Sequence, residues 1–393
     1  MRVVETNDDL RAFAAELARA PYITLDTEFL RDQTYYPRLC LIQAAAPPID
    51  DKPGVEAIID PLAPGLDLAP FYEVVRRPDI IKVLHAARQD IEIFFLQGGV
   101  IPDPLFDTQV AAMVCGFGDA ASYETLARKL AHVEIDKSAR FTDWSRRPLS
   151  KRQLEYALAD VTHLRTIYEK LSAELARTGR AAWVAEEVAA LQDPALYRLD
   201  PDMAWKRLKP RTSSRKFLTV LAVLAAWRER EAQARDIPRG RVLKDEALTE
   251  IAAHPPDGPE ALEKIRAVPR GFAASKLGRG LMEAIAAAAH APAPDGAIAP
   301  PARRRREPSP AAIDLLKTLL RLRAEAAGVA PRLIANAEDI EKLAAQEDEG
   351  VAALHGWRAE VFGNDARLLR QGDLAIALEN GEAVVVELEE ERR

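Results

Sequence analysis

Short apolar runs rich in β-branched residues alternate with longer amphipathic segments over the first 180 residues of the chain. This alternation predicts an α/β sheet domain, because the side-chain pattern of a strand repeats every two residues and that of a helix about every 3.6. We predict strands at Tyr22–Asp26, Leu39–Ala45, Ala57–Asp60, Ile81–Leu84 and Leu105–Asp107. We predict helices at Asn7–Arg19, Asp67–Arg76, Ala87–Gln97, Asp107–Cys115, Tyr123–Leu130 and Ser150–Glu174.

The order of these elements predicts a mixed sheet. The connections between the first three predicted strands are too short to contain crossover helices, so these strands are expected to form an antiparallel meander. The βα units that follow are expected to add parallel strands. Ser150 directly precedes the body of the last helix and is suited to cap its first turn.

Helical patterns replace the strand signals after Arg180, and a Pro-rich stretch divides the helical part of the chain. Because 393 residues exceed what one hydrophobic core usually supports, we expect several domains. They are an α/β domain at 1–180, a connecting segment at 181–210, a helical domain at 211–291, a Pro- and Arg-rich linker at 292–307 and a second helical domain at 308–393. The predicted fold class is therefore α/β followed by one or two all-α domains.

The first ten residues lack an apolar signal core, and no later segment approaches the roughly 18 uninterrupted apolar residues of a membrane span. We therefore expect a cytoplasmic protein without a membrane partner. Cys40 and Cys115 lie inside apolar runs and are expected to be buried thiols rather than a disulfide or a metal site. Nothing in the sequence specifies self-association, and a monomer is expected.

Charge is distributed unevenly along the chain. The formal net charge of −7 argues against indiscriminate binding of polyanions. Residues 1–180 contain 22 basic and 27 acidic side chains, a net of −5, and residues 307–393 contain 10 and 18, a net of −8. Residues 211–291 contain 14 and 10, a net of +4, so this segment is the part best suited to contact phosphate groups.

Two carboxylates two residues apart, Asp26 and Glu28, lie where the first predicted strand ends. In extended backbone, positions i and i+2 project from the same face, so both side chains can reach one site. Oxygen ligands of this kind suit Mg²⁺ or Mn²⁺. Such pairs are also common on solvated surfaces, so the pair alone does not define a site.

Three further residues give this pair its context. Tyr156 and Asp160 are four residues apart in the last predicted helix, which places the phenol and the carboxylate on one face, beside the apolar stripe. Asp90 lies at the start of another predicted helix, where the helix dipole favours a carboxylate. Each residue by itself also fits a structural role, but the five together indicate a metal-dependent site.

In order and spacing, these five residues resemble the three motifs of the DEDDy 3′-5′ exonucleases, whose domain has a ribonuclease H-like fold. The flanking sequence resembles bacterial ribonuclease D in the segments 34–39, 107–109, 136–138, 142–144 and 147–150. This resemblance covers roughly residues 1–290, and residues 211–290 are similar to the helicase-and-ribonuclease-D C-terminal (HRDC) domain. Residues 308–393 resemble the second such domain of the family only weakly.

The resemblance implies a metal-dependent 3′-5′ exoribonuclease that releases 5′-mononucleotides, with tRNA precursors as the expected substrates. It implies two divalent cations, Mg²⁺ or Mn²⁺. Asp26, Glu28 and Asp160 would hold the first ion, Asp26 would bridge to the second, and Asp90 would support the second through water. Tyr156 would orient the attacking water, since a phenol is a poor base near neutral pH.

Further candidates for substrate contacts lie beside these motifs. Phe29 follows the proposed ligands and is either a wedge that stacks on the terminal base or a core residue. The loop before the last helix contributes Lys137, Arg140, Trp144 and Arg147. Cations mixed with an aromatic ring suit a groove for single-stranded RNA, although a solvated loop has the same composition. His85 is expected to brace the start of the helix that carries Asp90 rather than to act as a base.

Two other functions are compatible with the sequence. A catalytically silent RNA-binding scaffold would keep the fold, but the five intact motif residues argue against it. A DNA 3′-5′ exonuclease would use the same metal site, because carboxylates and metal do not distinguish the sugar. The basic helical segment and the lack of a polymerase-sized region favour RNA.

Overall fold

The computed structural model describes residues 1–50, 52–139, 142–210, 214–294 and 307–388. Contacts between residues divide the chain into two compact units. The first unit consists of Met1–Glu28, Leu41–Leu196 and Arg304–Arg393, and the second of Phe29–Cys40 and Tyr197–Arg303. Most of the predicted linker at 292–307 lies outside the described residues, and the five-part division of the chain stays a prediction.

A six-stranded sheet forms the centre of the first unit, and it is mixed, as predicted. Its strands are β1 (Val3–Val4), β2 (Tyr22–Leu30), β3 (Arg38–Ala46), β4 (Val55–Ile59), β5 (Ile81–Leu84) and β6 (Leu105–Asp107), in the order β1-β4-β3-β2-β5-β6. Strand β3 is antiparallel to β4, whereas β1 is parallel to β4, and β5 is parallel to both β2 and β6. Strand β1 was not predicted, because two residues are too short to show a period.

The helices of the α/β part follow the predicted order. They are α1 (Asn7–Leu17), α2 (Ala69–Val75), α3 (Arg88–Gly98), α4 (Thr108–Val114), α5 (Tyr123–Leu126), α6 (Lys151–Thr178) and α7 (Ala181–Leu191). Short 3₁₀ or π segments lie at Ala127–Ala131, Lys137–Ala139 and Pro194–Leu196. Helix α6 packs against β4 and β5, and the Thr24 hydroxyl donates to the carbonyl of Val161 at 2.8 Å. The sheet and α6 therefore share one buried core.

The second unit is helical apart from the ends of β2 and β3. It contains a 3₁₀ segment at Pro201–Leu208 and the helices α8 (Arg215–Arg235), α9 (Arg239–Val242), α10 (Asp245–Ala253), α11 (Pro259–Glu263) and α12 (Lys276–Ala288). The longest of these, α8, packs against the 3₁₀ segment, α10 and α12. Leu224, Leu248 and Leu281 are fully buried in the resulting core. Residues 211–291, predicted as a helical domain, lie within this larger unit, and their bounds as a domain stay a prediction.

The C-terminal part begins with helices and ends with a β-hairpin. The helices are α13 (Pro310–Ala327), α14 (Pro331–Ile334), α15 (Ala337–Ala344), α16 (Gly356–Arg358) and α17 (Asn364–Gln371), with a 3₁₀ segment at Ala352–Leu354 and a π segment at Ala359–Gly363. Strands β7 (Leu374–Glu379) and β8 (Glu382–Glu387) pair antiparallel. The expectation of helices alone after Arg180 was therefore wrong for these last residues, although the rest of the region is helical.

This C-terminal part belongs to the first unit and packs against α4 and α7. Trp357 stacks on Trp183 with ring centroids 4.5 Å apart and an interplanar angle of 11°. Arg358 donates to Glu186 at 2.8 Å and also pairs with Glu187. The Ala330 amide donates to the carbonyl of Met113 at 2.9 Å. In the described ranges, no helix combines the length and apolar character that crossing a membrane requires.

Candidate active site

Strand β2 presents the two carboxylates of the first motif. The strand was predicted to end at Asp26, but it continues to Leu30. Asp26 and Glu28 therefore lie inside the strand and not at its end. Both side chains are partly buried, and their spacing directs them to the same face of the sheet. A position inside a hydrogen-bonded strand restricts the backbone of both residues, which favours a preorganised site.

Helix α6 brings the second part of the site to β2. Ser150 caps this helix as predicted, and its hydroxyl and the Gln153 side chain form a reciprocal capping box. Carboxylate oxygens of Asp26, Glu28 and Asp160 all lie within 4.8 Å of one another. Residues that are 134 positions apart in the sequence therefore form one cluster that could hold a metal ion.

Asp90 lies beside this cluster but is not one of its three members. It occupies the first turn of α3 and is 6% exposed. The hydroxyl of Thr27 donates to its Oδ1 at 2.5 Å. Thr27 therefore holds Asp90 from the position between the two β2 carboxylates, a role that the sequence analysis did not assign to it.

The electrostatics of the cluster favour a bound cation. Burial raises the pKa of Asp26 well above its usual range, and the charges of Asp160, Asp90 and Glu28 raise it further. Burial also raises the pKa of Asp90 to about 7, although the hydrogen bond from Thr27 opposes this change. Close, buried carboxylates repel one another, and a divalent cation converts that repulsion into ligation.

An open cleft of about 440 Å³ surrounds the cluster. The residues around the metal-ligand candidates include His85, Gln109, Tyr123, Glu124, Ile135 and Tyr156. The structure thus brings Tyr156 to the same cleft as Asp160, in agreement with their spacing of one helical turn. The Tyr123 hydroxyl donates to the carbonyl of Ala159 at 2.8 Å, next to Asp160. Tyr123 was not predicted as a site residue, since its sequence context shows only a helix start.

Two residues order the loop between β5 and α3. Asp107 accepts hydrogen bonds from the amides of Ala86 and Ala87 at 3.1 and 2.9 Å. His85 lines the cleft, and its Nδ1 lies 3.0 Å from the Thr108 hydroxyl. Burial lowers the pKa of His85, which keeps the ring neutral near pH 7. His85 therefore pairs with Thr108, and Asp107 restrains the start of α3.

The structure places three of the predicted substrate-contact residues, and two of them have internal partners. Trp144 is 2% exposed and its ring lies 6.1 Å from that of Tyr156, which argues against direct stacking on RNA. Arg147 donates to both carboxylate oxygens of Asp60, at 2.5 and 2.6 Å, so its guanidinium serves an internal ion pair. A strand alternates its faces, so Phe29 projects from the face opposite that of Glu28, and its role as a wedge or a core residue stays a prediction.

The last two predicted contacts have little structural description. Lys137 begins the 3₁₀ segment Lys137–Ala139. Arg140 lies outside the described residues. Both stay predictions, and the sequence alone supports them.

The mixed sheet, the three clustered carboxylates and the tyrosine on α6 define a 3′-5′ exonuclease. Residues 1–176 match the family model described as 3′-5′ exonuclease, and residues 217–285 match the HRDC domain. Ribonuclease D of Granulibacter bethesdensis is 50% identical over 378 residues, which cover 96% of this chain and 94% of the relative. Ribonuclease D of Jannaschia sp. is 50% identical over 385 residues, 98% of this chain and 99% of the relative.

Structural comparison agrees with these relatives. The crystal structure of Escherichia coli RNase D, described as an exoribonuclease involved in structured RNA processing, superposes with a TM-score of 0.78. It is 30% identical and covers 94% of this chain and 98% of its own. The chain belongs to the ribonuclease D family. It is accordingly a 3′-5′ exoribonuclease with an HRDC domain.

Proposed function

We propose that the protein trims RNA from its 3′ end to release 5′-mononucleotides, using two divalent cations, and that it matures the 3′ ends of tRNA precursors. The observation that carries the proposal is the cluster of Asp26, Glu28 and Asp160 oxygens within 4.8 Å of one another. The cytoplasm, where tRNA precursors are processed, is the proposed site of action.

The donor set fits Mg²⁺ or Mn²⁺, because all of its members are hard carboxylate oxygens. Such ions supply an activated water and charge stabilisation of the departing 3′ oxygen when they are bound. Asp26, Glu28 and Asp160 would hold the first ion, with Asp26 shared with the second. Asp90, fixed by the Thr27 hydroxyl, would act on the second ion through water. The protein's own side chains would orient the attacking water.

Tyr156 would orient the attacking water rather than deprotonate it. It lies on the α6 face that carries Asp160, and both residues line the cleft. A phenol donates and accepts hydrogen bonds but is a weak base near neutral pH. Its contribution is therefore the direction of approach of the nucleophile.

The net charge of +4 over residues 211–291 supports an RNA contact in the second unit. Of the basic residues there, Arg239 is occupied by Glu229 and Arg241 by Gln33. Exposed cations include Arg215, Lys216 and Lys244 in this range and Lys209 just before it. We propose that these four side chains contact phosphates and that they favour structured RNA over a short single strand.

Asparagine variants of the cluster test the catalytic proposal. Asp26→Asn and Asp160→Asn remove one charge each from the ligand set and should lower kcat about 1000-fold, since metal charge stabilisation is worth several kcal/mol. The measurement is release of mononucleotides from a tRNA with a 3′ trailer, in Mg²⁺ and in EDTA. Asp8→Asn, an exposed carboxylate on α1, is the matched control and should keep full activity.

The same assay separates the alternatives. A silent scaffold predicts no release by the unmodified protein in Mg²⁺. A DNA exonuclease predicts that a matched single-stranded DNA is degraded at least as fast as the RNA. Full activity of Asp160→Asn would refute the proposed metal ligation.

A further inference from the structure

A buried hydroxyl on β2 joins this strand directly to α6. Thr24, Asp26 and Glu28 alternate along β2, so they project from the same face of the sheet. Thr24 is fully buried, and its hydroxyl donates to the carbonyl of Val161 at 2.8 Å. Val161 directly follows Asp160 in the sequence of α6. The hydrogen bond therefore links the strand of Asp26 to the helix of Asp160 within two residues of each carboxylate.

The bond to α6 is the shorter of two that the Thr24 hydroxyl can make. The carbonyl of Ala45, on the neighbouring strand β3, lies 3.4 Å from the same hydroxyl. A carbonyl inside a helix already accepts the amide four residues further along, so Val161 does not need this second donor. The hydrogen bond is therefore a restraint between strand and helix in addition to the bonds that form the helix itself.

A second hydroxyl donates to α6 on the other side of Asp160 in the sequence. Tyr123 is the first residue of α5, and its hydroxyl donates to the carbonyl of Ala159 at 2.8 Å. Burial raises the pKa of this phenol well above its usual value, so the hydroxyl keeps the proton that it donates. Both residues that flank Asp160 in α6 thus accept a hydrogen bond from a side chain outside the helix.

Tyr123 is itself held against the sheet. Its ring packs edge-on against that of His85, with centroids 5.8 Å apart. The Nδ1 of His85 lies 3.0 Å from the Thr108 hydroxyl, which donates to the carbonyl of Leu84 at 3.1 Å. Leu84 ends β5, and β5 pairs with β2. A continuous set of contacts therefore connects α6, through Tyr123, to the sheet that presents the first motif.

We propose that Thr24 and Tyr123 are positioning residues for Asp160, and that their hydroxyls fix its distance from Asp26. This inference rests on the proposed metal ligation by the carboxylate cluster. All of these residues belong to the first unit. A shift of α6 along its axis, or a rotation about it, would separate carboxylate oxygens that now lie within 4.8 Å of one another. Misplacing a catalytic group by about 1 Å can cost up to about 100-fold in rate.

Substitutions that keep the shape of the side chain isolate this role. Thr24→Val and Tyr123→Phe each delete one hydroxyl. We expect each to lower kcat on a short single-stranded RNA about tenfold, with KM nearly unchanged. Thr24→Ser keeps the hydroxyl and should restore most of the loss. Tyr123 lines the open cleft, so Tyr123→Phe tests the proposal even if Thr24→Val folds poorly.

Tyr22→Phe is the matched control. Tyr22 lies on the same face of β2 as Thr24, and its hydroxyl donates to Glu169 of α6 at 2.6 Å. This variant also deletes a hydroxyl that joins β2 to α6, but its acceptor lies nine residues beyond Asp160. It should keep the kcat of the unmodified protein. An equal loss of kcat in Tyr22→Phe and Thr24→Val would mean a general loosening of α6 and would overturn the proposal.

Binding of Mn²⁺ to the RNA-free protein gives a readout that does not depend on activity. The Kd for Mn²⁺, measured by electron paramagnetic resonance of the free ion, should rise about tenfold in Thr24→Val and Tyr123→Phe. It should be unchanged in Tyr22→Phe and largely restored in Thr24→Ser.

Asp160→Asn, measured in parallel, separates this inference from the function on which it rests. If Asp160→Asn keeps full activity and Mn²⁺ affinity, the metal ligation is wrong and the positioning role fails with it. If Asp160→Asn loses both while Thr24→Val and Tyr123→Phe keep the kcat and Kd of the unmodified protein, the ligation stands and the positioning role alone is overturned.

Discussion

At the scale of single residues, Glu229 shows how a buried carboxylate is kept charged. Burial alone would raise the pKa of Glu229, but hydrogen bonds from Arg239, Arg207 and Tyr35 outweigh it and lower the pKa to about 2. The usual value for a glutamate is 4.5. Because the folded state binds its proton more weakly, this group stabilises the protein above about pH 4.5, and the stabilisation is lost as the pH falls towards 2.

We therefore expect acid to lower the free energy of unfolding of the unmodified protein by on the order of 3 kcal/mol through Glu229. Glu229→Gln cannot titrate at this position and should lack this contribution. The free energy of unfolding, measured with denaturant at pH 7, 4 and 3, should fall more steeply for the unmodified protein than for this variant. Glu231→Gln changes a glutamate of the same helix that pairs with Arg235 at the surface, and serves as control. Parallel pH profiles for Glu229→Gln and the unmodified protein would contradict the assignment.

The sequence identified the metal-ligand candidates better than the residues that support them. The clustering of Asp26, Glu28 and Asp160 follows from strand and helix periods together with a family resemblance. The support that Thr27 and Tyr123 give depends on distances across the sheet, which no local pattern contains. Composition does not distinguish exposed from internal side chains beside a site, as the burial of Trp144 shows.

At the scale of elements, α6 is the clearest link between a local signal and the site. Its buried residues include Ala157, Val161, Leu164, Ile167, Leu171 and Leu175, which are spaced three or four apart, and Tyr168 beside them. The predicted start was confirmed by the capping box at Ser150, and the helix continues four residues beyond the predicted Glu174, to Thr178. Helix ends are set by capping geometry, and here Gly179 ends the helix with φ +71.

Removing the cap should cost stability without changing the chemistry. Ser150→Ala deletes the acceptor of the Gln153 amide and should lower the free energy of unfolding by about 1 kcal/mol. Ser150→Asp keeps an acceptor at the helix start and should restore most of that loss. Denaturant unfolding checks both variants, and kcat should change less than about twofold because the cap lies more than one turn before Tyr156. An equal loss in both variants would exclude capping as the cause.

The hairpin β7–β8 was missed although its turn is visible in the sequence. Asn380 and Gly381 form a two-residue connection, and both have positive φ, +52 and +89. An Asn-Gly pair between apolar runs is a strong hairpin signal. The alanines, leucines and glutamates of these strands are good helix formers, and their composition outweighed the turn in our prediction.

At the scale of the whole molecule, the C-terminal part belongs to the same compact unit as the α/β domain. A Pro-rich linker predicted a separate domain, yet the contacts group this part with the α/β domain. The packing of Trp357 on Trp183 joins residues far apart in the sequence, and no local sequence pattern predicts it. The order of α13, α14 and α15, with 18, 4 and 8 residues, parallels that of α8, α9 and α10, with 21, 4 and 9. This parallel supports the predicted second HRDC-like domain.

Arg358 should be essential for this packing. Its side chain is 14% exposed and pairs with Glu187, which is 15% exposed. Arg358→Ala would leave that carboxylate largely buried without its ion-pair partner and should destabilise the protein by about 3 kcal/mol. Arg177→Ala, which breaks an exposed pair with Glu174, should cost well under 1 kcal/mol. Equal thermal midpoints for the two variants would show that the Arg358 pair does not hold the C-terminal part.

The first unit ends directly after Glu28, and this boundary limits how HRDC domains can be exchanged between members of the family. Residues 29–40 and 197–294 are far apart in the sequence but belong to the same compact unit. A mutation at Tyr35 is therefore expected to select for a compensating one on α8. An HRDC domain transplanted from a relative would inherit a foreign loop unless both stretches were exchanged together. We therefore expect substitutions in residues 29–40 to covary with substitutions in residues 197–294 among members of the family.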